Sequence, residues 1–287
     1  MIGPSRPGHP YLAGKPLFFA HRGGAKLAPE NTLEAFRSAV DRWGADILEM
    51  DVRLTRDGEI VVIHDDAVDR TTDGSGPVAS FTLAELERLD AGARFLDLKG
   101  RASFRGCGVR VPRFEDVLDA FPRTRMNVDA KDPASLPPLL ALLRRRGDQH
   151  RVLLAAVEEE GRADRHGYEG PTSATRGQLR LFYVFHRFPG GGPYLPPVDA
   201  LQIPDWWKER RVTSPRLLRE AHRRNIAVHV WTVDDPVVMR ELLAWGVDGI
   251  QTDRPDVLAR VLTEIAGRPP PRGMLEGSTT PRPAAAV

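Results

Sequence analysis

Cysteine, lysine and long apolar runs are all scarce in this chain of 287 residues. Cys107 is the single cysteine, which excludes an internal disulfide. No apolar run approaches the ~18 residues that a membrane-spanning helix requires. Residues 1–15 also lack the apolar stretch of a signal peptide, so we expect a soluble protein located in the cytoplasm.

An excess of charge of one sign is absent as well, because the formal net charge is only +2. Nucleic-acid binding, which needs a strongly basic surface, is therefore not expected. The composition, with 41% hydrophobic and 28% charged residues, is that of an ordinary globular protein. A chain of this length can bury roughly three quarters of its unfolded surface, so it needs no disulfide to hold its fold.

Short apolar stretches alternate with stretches of helical period within residues 16–266, in seven or eight units. Strands that alternate with helices indicate a parallel α/β sheet, and this number of units favours a (β/α)8 TIM barrel. One of its strands is assigned to the apolar run at 179–185. A segment after the second strand, about 65–110, breaks the alternation and is predicted to be a small insertion. We also predict a flexible N-terminal arm at 1–15 and a disordered proline-rich tail at 267–287.

Polar side chains recur at the carboxyl ends of the predicted strands. In a barrel, active sites are built at this rim. His21 and His64 each end a strand, and residues two apart on a strand point to the same face. Three such pairs occur: Glu49 with Asp51, Asp129 with Lys131, and His229 with Trp231.

Three carboxylates, from Glu49, Asp51 and Asp129, would come together at this rim. Buried carboxylates are costly and repel one another, and a divalent cation relieves both problems. Ligands that offer only oxygen suit Mg²⁺ or Ca²⁺ better than Zn²⁺. The spacing alone is equally compatible with carboxylates that pair with arginines at the strand ends.

Two histidines beside a metal suit phosphoryl chemistry, in which one acts as general base and the other as general acid. His21 and His64 are the candidates, and Arg22 and Lys131 are candidates for holding a phosphate group. Trp231 is either a core residue or a lip over the substrate. The other six histidines of the chain are interpreted as structural.

These residues lie within short motifs whose order strongly resembles that of the glycerophosphodiester phosphodiesterase family. Each motif alone is weakly specific, whereas the ordered set is highly specific and covers about residues 17–262. The motifs are HRG (21–23), PENT (29–32), E-x-D (49–51), DG-x-x-VV-x-HD (57–65), RTTDGSG (70–76), VPRFEDVL (111–118), NVDAK (127–131), HVWTVDD (229–235) and GVDGIQTDRPD (246–256).

The resemblance implies a (β/α)8 barrel with a small insertion after the second strand. It also implies an enzyme that hydrolyses glycerophosphodiesters to an alcohol and glycerol 3-phosphate by histidine acid–base catalysis, with one divalent cation, Mg²⁺ or Ca²⁺. By the motifs, the metal ligands fall on Glu49, Asp51 and Asp129, the histidine pair on His21 and His64, the phosphate-binding residues on Arg22 and Lys131, and an aromatic residue near the substrate on Trp231.

One position departs from the family pattern, because the third acidic ligand is commonly Glu and is Asp129 here. In this Asp-x-Lys form the chain is similar to the spider-venom phospholipase D enzymes. A lysophospholipase D that releases lysophosphatidic acid from lysophospholipids is therefore an alternative, in which Trp206 and Trp207 could contact an acyl chain or, transiently, a membrane surface. A catalytically inactive phosphodiester-binding protein is a third alternative, against which the complete set of site residues argues.

Overall fold

The structure, a computed structural model, describes residues 9–155 and 163–276. Strands and helices alternate along most of this length. In chain order the strands are β1 (Leu17–Ala20), β2 (Ile47–Leu54), β3 (Ile60–Val62), β4 (Arg125–Ala130), β5 (Val152–Ala155), β6 (Ala200–Pro204), β7 (Trp206–Trp207), β8 (Arg210–Arg211), β9 (Ala227–Trp231) and β10 (Gly249–Thr252).

The main sheet closes into a barrel. Its parallel strands are hydrogen-bonded in the order β5–β4–β2–β1–β10–β9–β6, and β3 pairs antiparallel with β2. The gap between the two edge strands is filled because Thr172 pairs with Leu154 of β5 and Ser173 pairs with Ala200 of β6. The Ala174 amide also donates to the Ala200 carbonyl over 2.9 Å. With this eighth strand position, the predicted (β/α)8 barrel is confirmed.

Each barrel strand turns one face to the helices and the other to the barrel interior. On β2, Leu48, Met50 and Val52 belong to the apolar core shared with the helices. The alternate residues Glu49 and Asp51 line a cavity inside the barrel. The interior of the barrel therefore explains why carboxylates occur in a strand of otherwise apolar residues.

Helices cover the outside of the barrel. None of the described helices is long and apolar enough to cross a membrane. The helices are α1 (Leu33–Arg37, continued by a π-helical turn at Ser38–Arg42), α2 (Leu83–Leu86), α3 (Phe114–Ala120), α4 (Leu136–Arg146), α5 (Arg176–Phe185), α6 (Pro215–His222), α7 (Pro236–Trp245), α8 (Pro255–Ala266) and α9 (Arg272–Leu275).

The predicted strand at 179–185 is wrong, because this segment belongs to α5. Thr175 begins the helix: its side-chain oxygen accepts a hydrogen bond from the Gln178 amide, and the Gln178 side chain accepts one from the Thr175 amide. Such a cap is worth about 1 kcal/mol and favours the helix over the strand preference of the aromatic residues that follow. Phe182 is buried and Val184 is 53% exposed, although residues two apart would share a face in a strand.

The insertion at 65–110, all of which the structure describes, contributes no strand to the barrel. It packs over β3 and contains the short helix α2. Its apolar core is separate from the core beneath the barrel helices and includes Val68, Val78, Leu86, Phe104 and Val109.

Both ends of the chain pack against the barrel where the structure describes them. Tyr11, from the predicted arm, is buried, and Arg125 Nη1 donates to the Tyr11 carbonyl over 2.8 Å. At the other end α9 packs on Trp43, where a Cβ on Gly273 would lie 2.6 Å from the ring. The described parts of the predicted flexible arm and disordered tail are thus packed against the barrel, and the rest of both segments lies outside the described residues.

Candidate active site

A cavity of about 580 Å³ opens at the carboxyl ends of the barrel strands. We call the part of the cavity lined by β1, β2, β4 and the turns after these strands its inner end; it carries the predicted acidic and histidine site residues. We call the part lined by α5 and by the β7–β8 hairpin its outer end. All eight predicted site residues line the cavity: His21, Arg22, Glu49, Asp51, His64, Asp129, Lys131 and Trp231.

His21 begins a tight turn directly after β1. Its Nδ1–H donates to Asp253 Oδ1 over 2.7 Å, and its Nε2 lies 3.9 Å from Glu49 Oε2. Burial opposes a charged imidazole, but the carboxylates of Glu49 and Asp253 outweigh it and raise the pKa of His21 to about 9. Within the turn, Gly23 has φ +82°, and a Cβ there would meet the Ala35 side chain at 2.7 Å. Glycine therefore allows the turn that brings His21 to the cavity.

Arg22 also adopts a left-handed backbone, with φ +49°, which costs roughly 1–2 kcal/mol for a residue other than glycine. In this conformation its backbone N–H donates to Glu49 Oε2 over 2.8 Å. Its guanidinium donates to Glu30 Oε1 over 2.9 Å. Its Nε lies 3.2 Å from Asp51 Oδ2 but not in hydrogen-bonding geometry. The strained turn thus places Arg22 against both carboxylates of β2.

Asp51 and Asp129 are register partners on β2 and β4, so their carboxylates lie side by side. Lys131 Nζ bridges them, 2.9 Å from Asp51 Oδ1 and 2.5 Å from Asp129 Oδ2. Burial acts to raise the pKa of Asp51, but Lys131 and Arg22 lower it below its usual value. Burial raises the pKa of Asp129, and Lys131 offsets this only in part. The alternative drawn from the spacing, a carboxylate paired with an arginine at a strand end, is seen at Asp51, whose Oδ2 lies 3.2 Å from Arg22 Nε.

The chemistry of this donor set fits a hard divalent cation. Glu49, Asp51 and Asp129 offer only oxygen atoms, and Asp129 Oδ1 is buried without a hydrogen-bond partner among the described residues. Burial also raises the pKa of Glu49 to about 7. A bound cation would give Asp129 Oδ1 a partner and would favour the charged form of Glu49. No three Asp, Glu, His or Cys side chains within 9–155 and 163–276 are already grouped to hold a metal. In the structure Lys131 supplies the positive charge between Asp51 and Asp129.

His64 follows β3 and is held by a chain of ion pairs. Its Nδ1–H donates to Asp65 Oδ1 over 2.6 Å, and Arg70 Nε donates to Asp65 Oδ2 over 2.5 Å. Arg70 also donates to both carboxylate oxygens of Glu30, over 2.8 and 2.7 Å. The hydrogen bond from Arg70 lowers the pKa of Asp65, and the hydrogen bond from His64 has a smaller effect in the same direction. Together they bring this pKa to about 2 although burial acts to raise it. Because Glu30 also accepts from Arg22, the network connects His64 to Arg22.

Four members of these networks have no role predicted from the sequence: Glu30, Asp65, Arg70 and Asp253. All four stand in the quoted motifs, so the signal was present. Their contacts depend on tertiary placement, since Asp253 is 232 residues away from His21 along the chain. A motif identifies a residue as part of the family pattern, whereas the residue that it contacts is known only from the folded structure.

Aromatic side chains contribute to the outer end of the cavity. Trp231, the last residue of β9, is 38% exposed and lines the rim, which fits the interpretation of a lip over the substrate. Trp207 of β7 also lines the cavity. The Arg211 guanidinium lies over the ring of the neighbouring Trp206, 5.9 Å from the ring centre.

The carboxyl-end rim of this (β/α)8 barrel brings candidate acid–base groups and cations into one cavity, which is the arrangement of an enzyme active site. Residues 21–257 match the Glycerophosphoryl diester phosphodiesterase family, and the chain belongs to that family. It is therefore an enzyme that hydrolyses phosphodiesters.

Several proteins and structures are similar over most of the chain. A Mycobacterium tuberculosis (H37Rv) protein named "Probable glycerophosphodiester phosphodiesterase 1" is 51% identical over 246 residues, which cover 78% of this chain and 84% of that protein. The glycerophosphodiester phosphodiesterase of Caldanaerobacter subterraneus subsp. tengcongensis is 32% identical over 257 residues, 86% of this chain and 98% of the relative. The crystal structure of glycerophosphodiester phosphodiesterase from Agrobacterium tumefaciens is 30% identical with a TM-score of 0.68, and the match covers 85% of this chain and 99% of that one.

Proposed function

We propose that this enzyme hydrolyses water-soluble glycerophosphodiesters to an alcohol and glycerol 3-phosphate, with His21 and His64 as the acid–base pair and one divalent cation as cofactor. The observation that carries the proposal is the meeting of both histidines, three carboxylates and the cations Arg22 and Lys131 in one barrel cavity. The relatives named as glycerophosphodiester phosphodiesterases support this substrate class over the lysophospholipids of the alternative hypothesis.

The two histidines are each engaged by a carboxylate at Nδ1, His21 by Asp253 and His64 by Asp65. This contact fixes the tautomer and leaves each Nε2 to exchange a proton with the substrate. One imidazole accepts the proton of the nucleophile, which is water or the neighbouring glycerol hydroxyl, and the other donates a proton to the leaving alcohol. Attack by the hydroxyl gives a cyclic phosphate, which water then opens to glycerol 3-phosphate.

Arg22 and Lys131 neutralise the phosphodiester as negative charge develops in the transition state. Both cations are held in the cavity by carboxylates, Arg22 by Glu30 and Lys131 by Asp51 and Asp129. Their positions are thus set before substrate binds, which is the condition for preorganised stabilisation of charge.

Glu49, Asp51 and Asp129 would hold the divalent cation, Mg²⁺ or Ca²⁺. When bound, such an ion acts as a Lewis acid toward the phosphoryl oxygens and stabilises their developing charge. Asp129 is one methylene shorter than the glutamate that is common in the family. Its Oδ1, which has no hydrogen-bond partner among the described residues, is the atom that supports it as a ligand despite this shorter reach.

A product assay with purified protein tests this function. The protein is stripped of metal by chelation, given Mg²⁺ or Ca²⁺, and offered glycerophosphocholine, glycerophosphoethanolamine and lysophosphatidylcholine in parallel. Formation of glycerol 3-phosphate only with added metal would support the proposal. Lysophosphatidic acid as the product would support the lysophospholipase D hypothesis instead, and absence of product with either metal would overturn the proposed substrate class.

Substitution of the histidines tests their roles. His21→Ala and His64→Ala should each lower kcat by about 100-fold or more, with the fold intact by circular dichroism. His150→Ala is the matched control, because His150 lies in an exposed turn and contacts the Gly147 carbonyl at 2.9 Å. Near-normal turnover by His64→Ala would contradict its assignment.

A further inference from the structure

One face of α5 forms part of the outer wall of the cavity. Arg176, Leu179, Arg180 and Tyr183 all line the cavity, and their spacing of three and four residues places them on the same side of the helix. The helix thus presents two guanidinium groups to the outer end of the cavity. Arg187, one turn further on, stacks on the Tyr183 ring at 4.2 Å from its centre, so this ring already faces a cation.

The β7–β8 hairpin forms another part of this wall. Trp207 and Arg210 are register partners in the hairpin, and both line the cavity. The next residue, Arg211, donates through Nε to Asp205 over 3.1 Å and through Nη1 and Nη2 to Glu241 over 3.0 and 2.6 Å. These bonds anchor the hairpin, and with it the position of the Arg210 backbone.

Among the residues that the structure describes, those that line the outer end of the cavity carry positive charge. Arg176, Arg180 and Arg210 line it, whereas all carboxylates of the described lining belong to the inner end, on β2 and β4. Within the part of the chain that the structure describes, Arg180 and Arg210 have no carboxylate at ion-pair distance. Such guanidinium groups attract anions and repel cations over a range that salt limits to about 8 Å. They also match the geometry of phosphate, to which arginine donates two parallel hydrogen bonds.

We propose that the outer end of the cavity is a second anion subsite, which selects glycerophosphodiesters whose alcohol carries another phosphate group. The inner end takes the phosphodiester that is cleaved, and Arg180 and Arg210 bind the second phosphate. A cavity of about 580 Å³ is large enough for a ligand of this length. The inference rests on the proposed function and narrows its substrate class, because a choline head group has the wrong charge for this end.

Kinetics with three substrates test the subsite: glycerophosphocholine, glycerophosphoglycerol and bis(glycerophospho)glycerol, whose alcohol carries a second phosphodiester. After correction for its two equivalent ends, bis(glycerophospho)glycerol should have a kcat/KM about tenfold above that of glycerophosphoglycerol, the effect expected from two exposed ion pairs. The ratio should fall toward one as salt rises from about 50 to about 300 mM. Glycerophosphocholine should be the poorest substrate of the three.

The double variant Arg180→Ala with Arg210→Ala should bring the ratio of kcat/KM close to one. Arg219→Ala with Arg260→Ala is the matched control, because it removes two exposed arginines from α6 and α8 and the same net charge; the ratio should stay at its wild-type value. A wild-type ratio near one, or a ratio that survives loss of Arg180 and Arg210, would overturn the subsite and leave the proposed function standing. Failure to turn over any of the three substrates would overturn the proposed function and the subsite together.

Discussion

His229 links the stability of the barrel interior to pH. Its side chain is 0% exposed and packs on Phe19 with ring centres 4.6 Å apart. Its Nδ1 lies 3.5 Å from Gln202 Nε2, and its Nε2 has no hydrogen-bond partner among the described residues. Burial lowers the pKa of His229 to about 4, from an ordinary value near 6.5.

The size of the effect follows from this shift in the pKa of His229. As pH falls through about 6.5, the unfolded chain binds a proton at this histidine, whereas the folded chain stays neutral until about pH 4. The free energy of unfolding therefore falls across this window, by about 3 kcal/mol between neutral pH and pH 4. Glu49, whose pKa is raised to about 7, acts in the opposite direction over much of the same range, so the effect of His229 must be isolated with a variant.

His229→Asn keeps an acceptor for Gln202 but cannot titrate. Urea unfolding followed by tryptophan fluorescence, between about pH 4 and about pH 7.5, measures both proteins. At neutral pH the variant should have the lower free energy of unfolding, since the smaller side chain leaves a cavity. Between neutral pH and pH 4 the free energy of unfolding of the variant, relative to that of the wild type, should rise by about 3 kcal/mol. His150→Asn, at an exposed position, is the control for removing a histidine that is not buried. Parallel pH dependence of wild type and His229→Asn would refute the reasoning.

Two further substitutions test the turn around His21, the residue proposed above as one of the acid–base pair. Asp253→Asn should lower kcat by about tenfold or more and move the pH–rate profile to lower pH, since the Asp253 carboxylate helps to raise the pKa of His21; an unmoved profile would argue against a positioning role. Gly23→Ala should lower the thermal unfolding midpoint more than Gly58→Ala does, because both positions have φ near +82° but only a Cβ on Gly23 meets other atoms within 4 Å. Equal losses would show that contact with Ala35 is not the cause.

The sequence predicted the barrel and its rim because both depend on local periods. Glu49 and Asp51, like Asp129 and Lys131, are two apart on parallel strands, so their side chains share a face and their strand ends share an edge. That geometry follows for any barrel with these strands, whatever the details of packing. The eight predicted site residues therefore meet in one cavity, and their chemical roles stay predictions for the assays above.

Three features of the structure were not predicted from the sequence: the strand position at Thr172 and Ser173, the helix at 179–185, and the contact of Asp253 with His21. The strand position at Thr172 and Ser173 is too short to show a period, and its pairing depends on β5 and β6, which lie on either side of it. The apolar run at 179–185 has the composition of a strand, and only the Thr175–Gln178 capping box signals a helix. The contact of Asp253 with His21 likewise requires the first and last strands of the sheet to be neighbours.

The two-residue strand that closes the barrel has a consequence for how this enzyme can diversify. The chain leaves that position directly into α5 and rejoins the ring at Ala200. The segment between them takes no part in the hydrogen bonds among the other seven strands, although its buried side chains, among them Gln178, Phe182 and His186, pack against the rest of the fold. Under the proposed second anion subsite, changes to Arg180 and its neighbours on α5 would alter which alcohols the enzyme accepts, while the histidines and carboxylates on β1, β2, β4 and the turn after β3 stay as they are.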